Sequence, residues 1–385
     1  PANRGVETKV AGKGKVTQAV DSNTRIFALM SGGVDSSVAA ALVRERSSQV
    51  TGVTMKIWAG PPSTDKIPHH GCYGPEEEAD IEDARRVAEK LGIPFHVIDL
   101  TQEYQNVVLD YFSQEYSCGR TPNPCVRCNY RIKFGALIEK AREFGLEFDY
   151  IASGHYARVE YDADNQRYLL KKAIDRSKDQ SYFLAFLSQK QLSQLFLPLG
   201  DLKKEEVRQI AARLGLAVAD KPDSQNFISG NYSAVIQSGS GPGKIIDKEG
   251  KVLGQHQGIQ NYTIGQRRGL SISSASPLYV IEIDPVRNTI IVGDKKDIYR
   301  QEFIASGMNW IAVPNLAAPT ELNVKIRSSH KEAEARVVPV DADRVQVKFQ
   351  EPQLAITPGQ TAVFYRGDVV IGGGIIEKLP PSETL

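Results

Sequence analysis

Two stretches of this 385-residue chain combine reactive residue types at a useful spacing. The first is Ser31-Gly32-Gly33-Val34-Asp35-Ser36. Adjacent glycines let phosphate oxygens approach main-chain N–H groups with no Cβ in the way. Ser31 and Ser36 add hydroxyls, and Asp35 is suited to hold a divalent cation that bridges phosphates. No Lys follows the glycines, so this is not the GxxxxGK[ST] loop of P-loop NTPases. The second stretch holds Cys118, Cys125 and Cys128 within eleven residues. Cys125 and Cys128, three apart in the first turn of a helix, share one face. A helix N-terminus favours the thiolate, and Arg127 and Arg131 add positive charge in sequence. A thiolate placed this way serves as nucleophile, persulfide carrier or metal ligand.

The elements that must position these groups follow from pattern. Arg25 to Met30 is a short apolar run of strand type, and Ser37 to Val43 has helix-forming composition. Strand, glycine turn and helix aim N–H groups and a positive dipole end at an anion. Further strands are expected at 50–55, 95–100 and 149–155, with a helix over 78–91 closed by Gly92. Asn123 is a good N-cap and Pro124 suits the first helical position, so a helix is expected from Pro124 towards Phe144. Alternating strands and helices from Arg25 to about Leu216 predict an α/β fold with a doubly wound parallel sheet. Its ligands would sit beyond the carboxyl ends of the strands, where both the glycine loop and Gly154-His155 fall. After about Asp220 the chain turns β-rich. Asp247-Lys248-Glu249-Gly250 reads as a hairpin turn, and short strands from about Asn288 onward suggest a small barrel. The expected division is a flexible tail over 1–22, the α/β domain over 23–219, a central β-rich domain over 220–288 and a C-terminal β-barrel over 289–385.

Bulk properties narrow the class. Hydrophobic content of 41% with 24% charged residues is ordinary for a globular protein, and a net charge of +1 confines any nucleic-acid surface to a local patch. No apolar run reaches the length of a membrane span and no signal-peptide pattern opens the chain. A trimmed targeting segment is the alternative reading of the polar start. Four cysteines in a chain of this size fit metal, cluster or sulfur chemistry in a reducing, cytoplasmic setting better than a disulfide framework.

The glycine loop resembles the S-G-G-x-D-S pyrophosphate loop of ATP pyrophosphatases, which split ATP into AMP and pyrophosphate. With Gly119 to Pro124, Gly154-His155-Tyr156-Ala157-Arg158, Lys178 to Phe183, Tyr262 to Gly269 and Thr357-Pro358-Gly359-Gln360, the sequence is similar to the tRNA-specific 2-thiouridylase (MnmA) family from about Arg25 onward. The resemblance implies that ATP and Mg²⁺ adenylate O2 of the wobble uridine, position 34 of tRNA, and that sulfur then displaces AMP at C2. By matching motif it implies ATP contacts from Leu29, Met30, Ser31, Gly32, Gly33, Val34, Asp35, Ser36 and Met55, with Gly154 at the adenylate. Cys128 takes the catalytic cysteine position, and Asn123-Pro124-Cys125 faces the target base. His155, Lys178, Asp179, Gln180, Arg327, Ser328 and Gln360 match tRNA-contacting positions. Each has a plainer reading: His155 as a hydrogen-bonded buried histidine, Lys178-Asp179 as a solvated ion pair, Arg327 as a strand residue facing water.

The chain departs from the family at the sulfur chemistry. Many members have Asp at the position of Cys125 and a second essential cysteine in a D-S-x-x-x-C-F-I segment. Here that segment reads Asp223-Ser224-Gln225-Asn226-Phe227-Ile228, without cysteine. Two substitutes stay open: Cys125 and Cys128 as persulfide and resolving thiols, or a [4Fe-4S] cluster with one open iron, held by Cys125, Cys128 and Cys72, with Cys118 as the alternative third ligand. The sulfur donor is a cysteine desulfurase, a relay protein or free sulfide. Rival functions are the S-G-G-x-D-S ligases such as GMP synthetase, tRNA lysidine synthetase, and 2-thiocytidine or 4-thiouridine synthases. The β-rich C-terminal part and Asn123-Pro124-Cys125 speak against them. A non-catalytic tRNA-binding or redox-sensing protein is favoured by the missing cysteine alone.

Overall fold

The computed structural model describes residues 20–60, 71–219, 221, 226–228, 235–236, 239–274 and 276–377, together with the backbone of Lys15–Val16. The expected tail over 1–22 and the residues Asp223 to Gln225 therefore lie largely outside the described residues.

The α/β domain is built on five parallel strands in the order Phe95–Asp99, Val50–Lys56, Ile26–Leu29, Tyr150–Ala152 and Leu195–Phe196. The chain runs outward on one side of Ile26–Leu29 and returns on the other. The topological switch point thus lies between Ile26–Leu29 and Tyr150–Ala152, where such sheets bind ligands. Apolar residues on both faces of the strands are covered by helices. Val34–Arg44 is rich in alanine and nearly all buried, because it is wedged between the sheet and helix Lys204–Arg213, whose Val207 and Ala211 share its core. Helix Glu77–Leu91 buries Ile81, Ala84, Val87 and Ala88, and Gly92 ends it at φ +62° with its N–H on Glu89 O.

The cysteine helix starts as expected. Asn123 Oδ1 accepts from Val126 N at 3.1 Å and Pro124 takes the first position. Beyond Pro124–Cys128 the ladder widens to π form over Asn129–Ala136 before Leu137–Glu143 resumes the α form. The cause lies elsewhere in the chain: Gln191 Nε2 donates to Tyr130 O and Phe134 O, both at 2.8 Å, taking up carbonyls of that stretch.

Four strands form the second sheet, in the order Val252–His256, Gly243–Ile246, Thr289–Gly293 and Tyr279–Asp284. The hairpin turn at Asp247 to Gly250 is present, with Gly250 N on Asp247 O at 3.1 Å. Thr289–Gly293 belongs to this sheet, so the central layer runs past the boundary expected at 288. Pro285 to Asn288 is a tight reversal, with Asn288 at φ +48°, and not a linker. The third sheet closes on itself through Val369–Ile376, Tyr299–Trp310, Val345–Leu354, Ala333–Pro339, Thr320–Lys325 and Thr361–Arg366, which pairs back with Val369–Ile376. Strict alternation of burial along Val345 to Phe349 follows from one face lining the barrel. A hairpin of the first domain, Ala157–Asp162 with Arg167–Lys172, joins this sheet through Lys171 opposite Val369. No helix among the described residues is long and apolar enough to cross a membrane.

Candidate active site

The glycine loop lies at the switch point. Helix Val34–Arg44 opens at Gly33 with no side-chain cap. Ser36 Oγ accepts from Ser31 N and donates to Gly33 O, each at 3.1 Å, so the two serines brace the loop. Gly32 sits at φ +72°, and a Cβ there would lie 2.2 Å from Asp80 O. Lys221 Nζ ties the same place together, reaching Gly32 O at 3.1 Å and Asp80 Oδ1 and Asp83 Oδ2 at 2.6 Å. Leu29 ends the central strand, buried Met30 follows with its N on Val53 O, and Met55 lies near the end of the neighbouring strand. The glycine loop thus follows the end of one strand, and Met55 lies at the same end of its neighbour.

Gly154 comes from across the switch point. A Cβ on it would stand 2.7 Å from Asp35 C and Ser36 N, so only glycine lets the strand end touch the start of the helix. Gly154→Ala is expected to push the loop outward and slow adenylation about 10²-fold, because displacements near 1 Å cost that much in a positioned site. Tyrosine fluorescence and thermal unfolding would separate this from loss of fold.

Asp35 is not an open carboxylate. Lys204 Nζ lies 2.7 Å from Oδ1 and 2.8 Å from Oδ2, and the Tyr156 hydroxyl donates to Oδ1 at 2.8 Å. Sequence reasoning missed Lys204, 169 residues away. The sequence shows only a lysine in the first turn of a helix, where it opposes the dipole; its burial, which calls for an anionic partner, appears in the structure alone.

The thiols assemble from three segments. Cys125 is half-buried and Cys128 buried, inside a cluster with Tyr73, Tyr104, Phe227 and Ile228. Strand Asn226–Ile228 pairs in parallel with Gly71–Tyr73, Ile228 opposite Tyr73, which sets Cys72 beside the segment that lacks the family's second cysteine. Burial pushes the Cys125 thiol up to about 12, with the charges of Cys72 and Cys128 adding to the rise and Lys133 opposing it. Burial raises Cys128 to about 11, against Lys133 and with Cys72. The expectation of easily ionised thiols is therefore corrected: desolvation outweighs the helix end. Arg127 and Arg131 do not supply the charge. The Arg127 guanidinium lies 4.0 Å from the Tyr111 ring centre with Nε on Val107 O, and Arg131 lies over Tyr130. The nearby cation is Lys133, pulled down by burial and pulled up further by the charges of Cys128, Cys72 and Cys125. At pH 7.5 iodoacetamide should label exposed Cys72 and Cys118 first. Cys125 and Cys128 should react appreciably only as pH rises past about 10, which peptide mass spectrometry would read. Among the described residues, no group of three His, Cys, Asp or Glu stands in metal-holding geometry.

Loops of the α/β, central β and barrel regions meet before these thiols. Thr121 N donates to Pro358 O at 2.8 Å, Gln360 Nε2 donates to Thr121 O at 2.9 Å and Pro122 O at 3.2 Å, and the Thr121 and Thr263 hydroxyls are 3.2 Å apart. Gly359, at φ +89°, permits the approach. The other positions matched to tRNA contacts are held internally in part. His155 hydrogen-bonds through Nδ1 to the Ser153 hydroxyl, and burial, with Lys133 adding to it, lowers it to about 3, so it is neutral at physiological pH. Asp179 accepts from Ala173 N and the Ser181 hydroxyl, and the Gln180 amide oxygen accepts from Tyr156 N. Arg327 does not face water along a strand: Nη2 reaches Ala355 O at 2.7 Å and the Thr357 hydroxyl. Lys178 lies partly buried on the same loop as Asp179, and Ser328 is exposed beside Arg327.

A glycine loop at the switch point of a parallel sheet, in a chain that continues into two β modules, defines an ATP pyrophosphatase-type enzyme. Residues 24–229 match the family described as "tRNA methyl transferase HUP domain", 234–294 the "tRNA methyl transferase PRC-barrel domain" and 300–376 the "Aminomethyltransferase beta-barrel domain". The tRNA-specific 2-thiouridylase MnmA 1 of Caldanaerobacter subterraneus subsp. tengcongensis is 49% identical over 93% of this chain and 99% of its own. The tRNA-specific 2-thiouridylases MnmA of Acetivibrio thermocellus, 44% identical over 92% and 100%, and of Clostridioides difficile, 46% over 92% and 99%, are similarly close. The chain belongs to the tRNA-specific 2-thiouridylase (MnmA) family.

Proposed function

We propose that this enzyme, a tRNA-uridine 2-sulfurtransferase, delivers sulfur through Cys72 and Cys128 after the ATP loop has activated the wobble uridine. The uridine O2 attacks the α-phosphorus of ATP, the bond to the β-phosphate oxygen breaks, and pyrophosphate leaves with the electron pair. The chain's part is to bind the phosphates on the Gly32-Gly33 backbone and to exclude water. Asp35 would hold Mg²⁺ only once Lys204 has left its oxygens; the ion would take its other ligands from water and phosphate and would supply charge neutralisation there.

Exposed Cys72 receives sulfur from a donor as a persulfide. Its outer sulfur attacks C2, and the C2–O bond to AMP breaks. Cys128 then attacks the inner sulfur, its thiol proton passing to N3 of the base, which adenylation left unprotonated; the S–S bond breaks, and the thiocarbonyl is left on the base. A Cys72–Cys128 disulfide remains for an external thiol to reduce. The observation that supports this is the parallel pairing of Asn226–Ile228 with Gly71–Tyr73, which brings a thiol beside the place where the family's second cysteine is missing. Cys72, Cys125 and Cys128 are also the thiols that would hold an iron–sulfur cluster, whose open iron would supply a binding place for incoming sulfide. The test is anaerobic reconstitution with a persulfide donor, with 2-thiouridine read by nucleoside mass spectrometry. A Cys72–Cys128 disulfide after one turnover, in iron-free protein, is expected. Activity that tracks iron and labile sulfide, with no disulfide, would replace this route by the cluster.

A further inference from the structure

We propose that Lys204 is the pyrophosphate-binding cation of the ATP site, held on Asp35 until nucleotide arrives and then transferred to the β- and γ-phosphates. It rests on the adenylation reading only for the identity of the leaving group.

The geometry carries it. The Lys204 ammonium contacts both oxygens of Asp35, at 2.7 and 2.8 Å, and its side chain keeps only 10% of its surface exposed. Asp35 lies in the first turn of Val34–Arg44, the helix whose uncapped N-terminus begins at the glycine loop. The ammonium therefore sits within a side chain's reach of where phosphates bound on Gly32 and Gly33 must lie. Buried ion pairs contribute little net stability, since desolvation offsets attraction, so stability alone does not account for this one. Its own backbone position is unfavourable too. Lys204 starts helix Lys204–Arg213, where the dipole repels a cation, and its N–H is anchored by Asp175 Oδ2 at 3.1 Å.

Polyphosphate binding changes the balance of charges. Several negative charges would enter a site already holding the Asp35 carboxylate, and Lys204 directly faces that carboxylate. Tyr156, whose hydroxyl donates to Asp35 Oδ1 at 2.8 Å, keeps the carboxylate in place when the ammonium swings away. Backbone anchoring by Asp175 fixes the root of the side chain, so the motion needs only its flexible stem. In the reaction, negative charge grows on the oxygen bridging the α- and β-phosphorus as that bond breaks. An ammonium on the departing pyrophosphate stabilises that charge without a proton transfer.

The distinguishing readout is preference for ATP over AMP, measured by equilibrium binding to the full chain without tRNA. Lys204→Met should weaken ATP and inorganic pyrophosphate at least 30-fold and leave AMP within twofold. Lys204→Arg, which keeps the ion pair with Asp35, should fold as the parent does and lower the ATP-to-AMP preference threefold or more. Equal losses for ATP and AMP in both variants would assign Lys204 a merely structural role and overturn the proposal, as would unchanged ATP affinity. If Lys204→Met fails to fold, the Arg variant decides by the same ratio. Absence of thiouridine formation with this ratio intact would instead count against the sulfur route.

Discussion

Cys128→Ala should yield an enzyme that still releases pyrophosphate in a tRNA-dependent way but forms at least about 10³-fold less 2-thiouridine, as expected when a nucleophile is removed from an otherwise intact site. Cys128 projects into the thiol cluster from a helix anchored by Asn123 and Pro124, and the ATP loop is braced separately by Ser36 and Lys221. Removing one sulfur atom therefore leaves the activation half untouched. Single-turnover experiments with labelled ATP should show adenylated tRNA accumulating. Normal thiolation by this variant would remove Cys128 from the mechanism.

The second large effect belongs to Asp35. Asp35→Asn should reduce tRNA-dependent pyrophosphate release about 10²–10³-fold, the cost of losing the carboxylate that positions the Lys204 cation beside the reacting phosphates. Asparagine is the informative choice. It keeps an oxygen to accept from Lys204 and Tyr156, whereas Asp35→Ala leaves both without an acceptor; either change removes the counter-charge of Lys204, and breaking such a pair from one side costs several kcal/mol, about 3–5 in buried cases. Loss of activity with Asn in protein that remains folded at the assay temperature, read by thermal unfolding, would isolate the chemical role. Pyrophosphate release at the parental rate would show that Asp35 is dispensable.

The parts legible in the sequence are those set by local pattern. The strand at 26–29, the glycine loop and the helix after it are contiguous, so their order is enough to put the loop at the carboxyl end of a strand. Asn123-Pro124 marks a helix start through local hydrogen bonding, and that start is found. What was not legible depends on partners distant in sequence. Lys204 reaches Asp35 only because Lys204–Arg213 packs on Val34–Arg44. The thiols rise in pKa because segments from three parts of the chain bury them, whereas Arg127 and Arg131, neighbours in sequence, point to other rings. The π stretch after Cys128 answers to Gln191, a side chain no helical periodicity contains. The boundary expected at 288 falls in a tight turn between two paired strands, because strand pairing across Pro285 to Asn288 leaves no mark in composition.

The hairpin Ala157–Lys172 leaves the nucleotide domain and becomes a ribbon on the outside of the barrel sheet, hydrogen-bonded at Lys171 and Val369. That shared ladder, with Pro358 and Gln360 gripping the segment before the thiols, ties the barrel to the first domain at two separate places. Cutting the chain near residue 295 would then not liberate an intact first domain. It would open a sheet edge and leave the backbone of Thr121 and Pro122 without its partners.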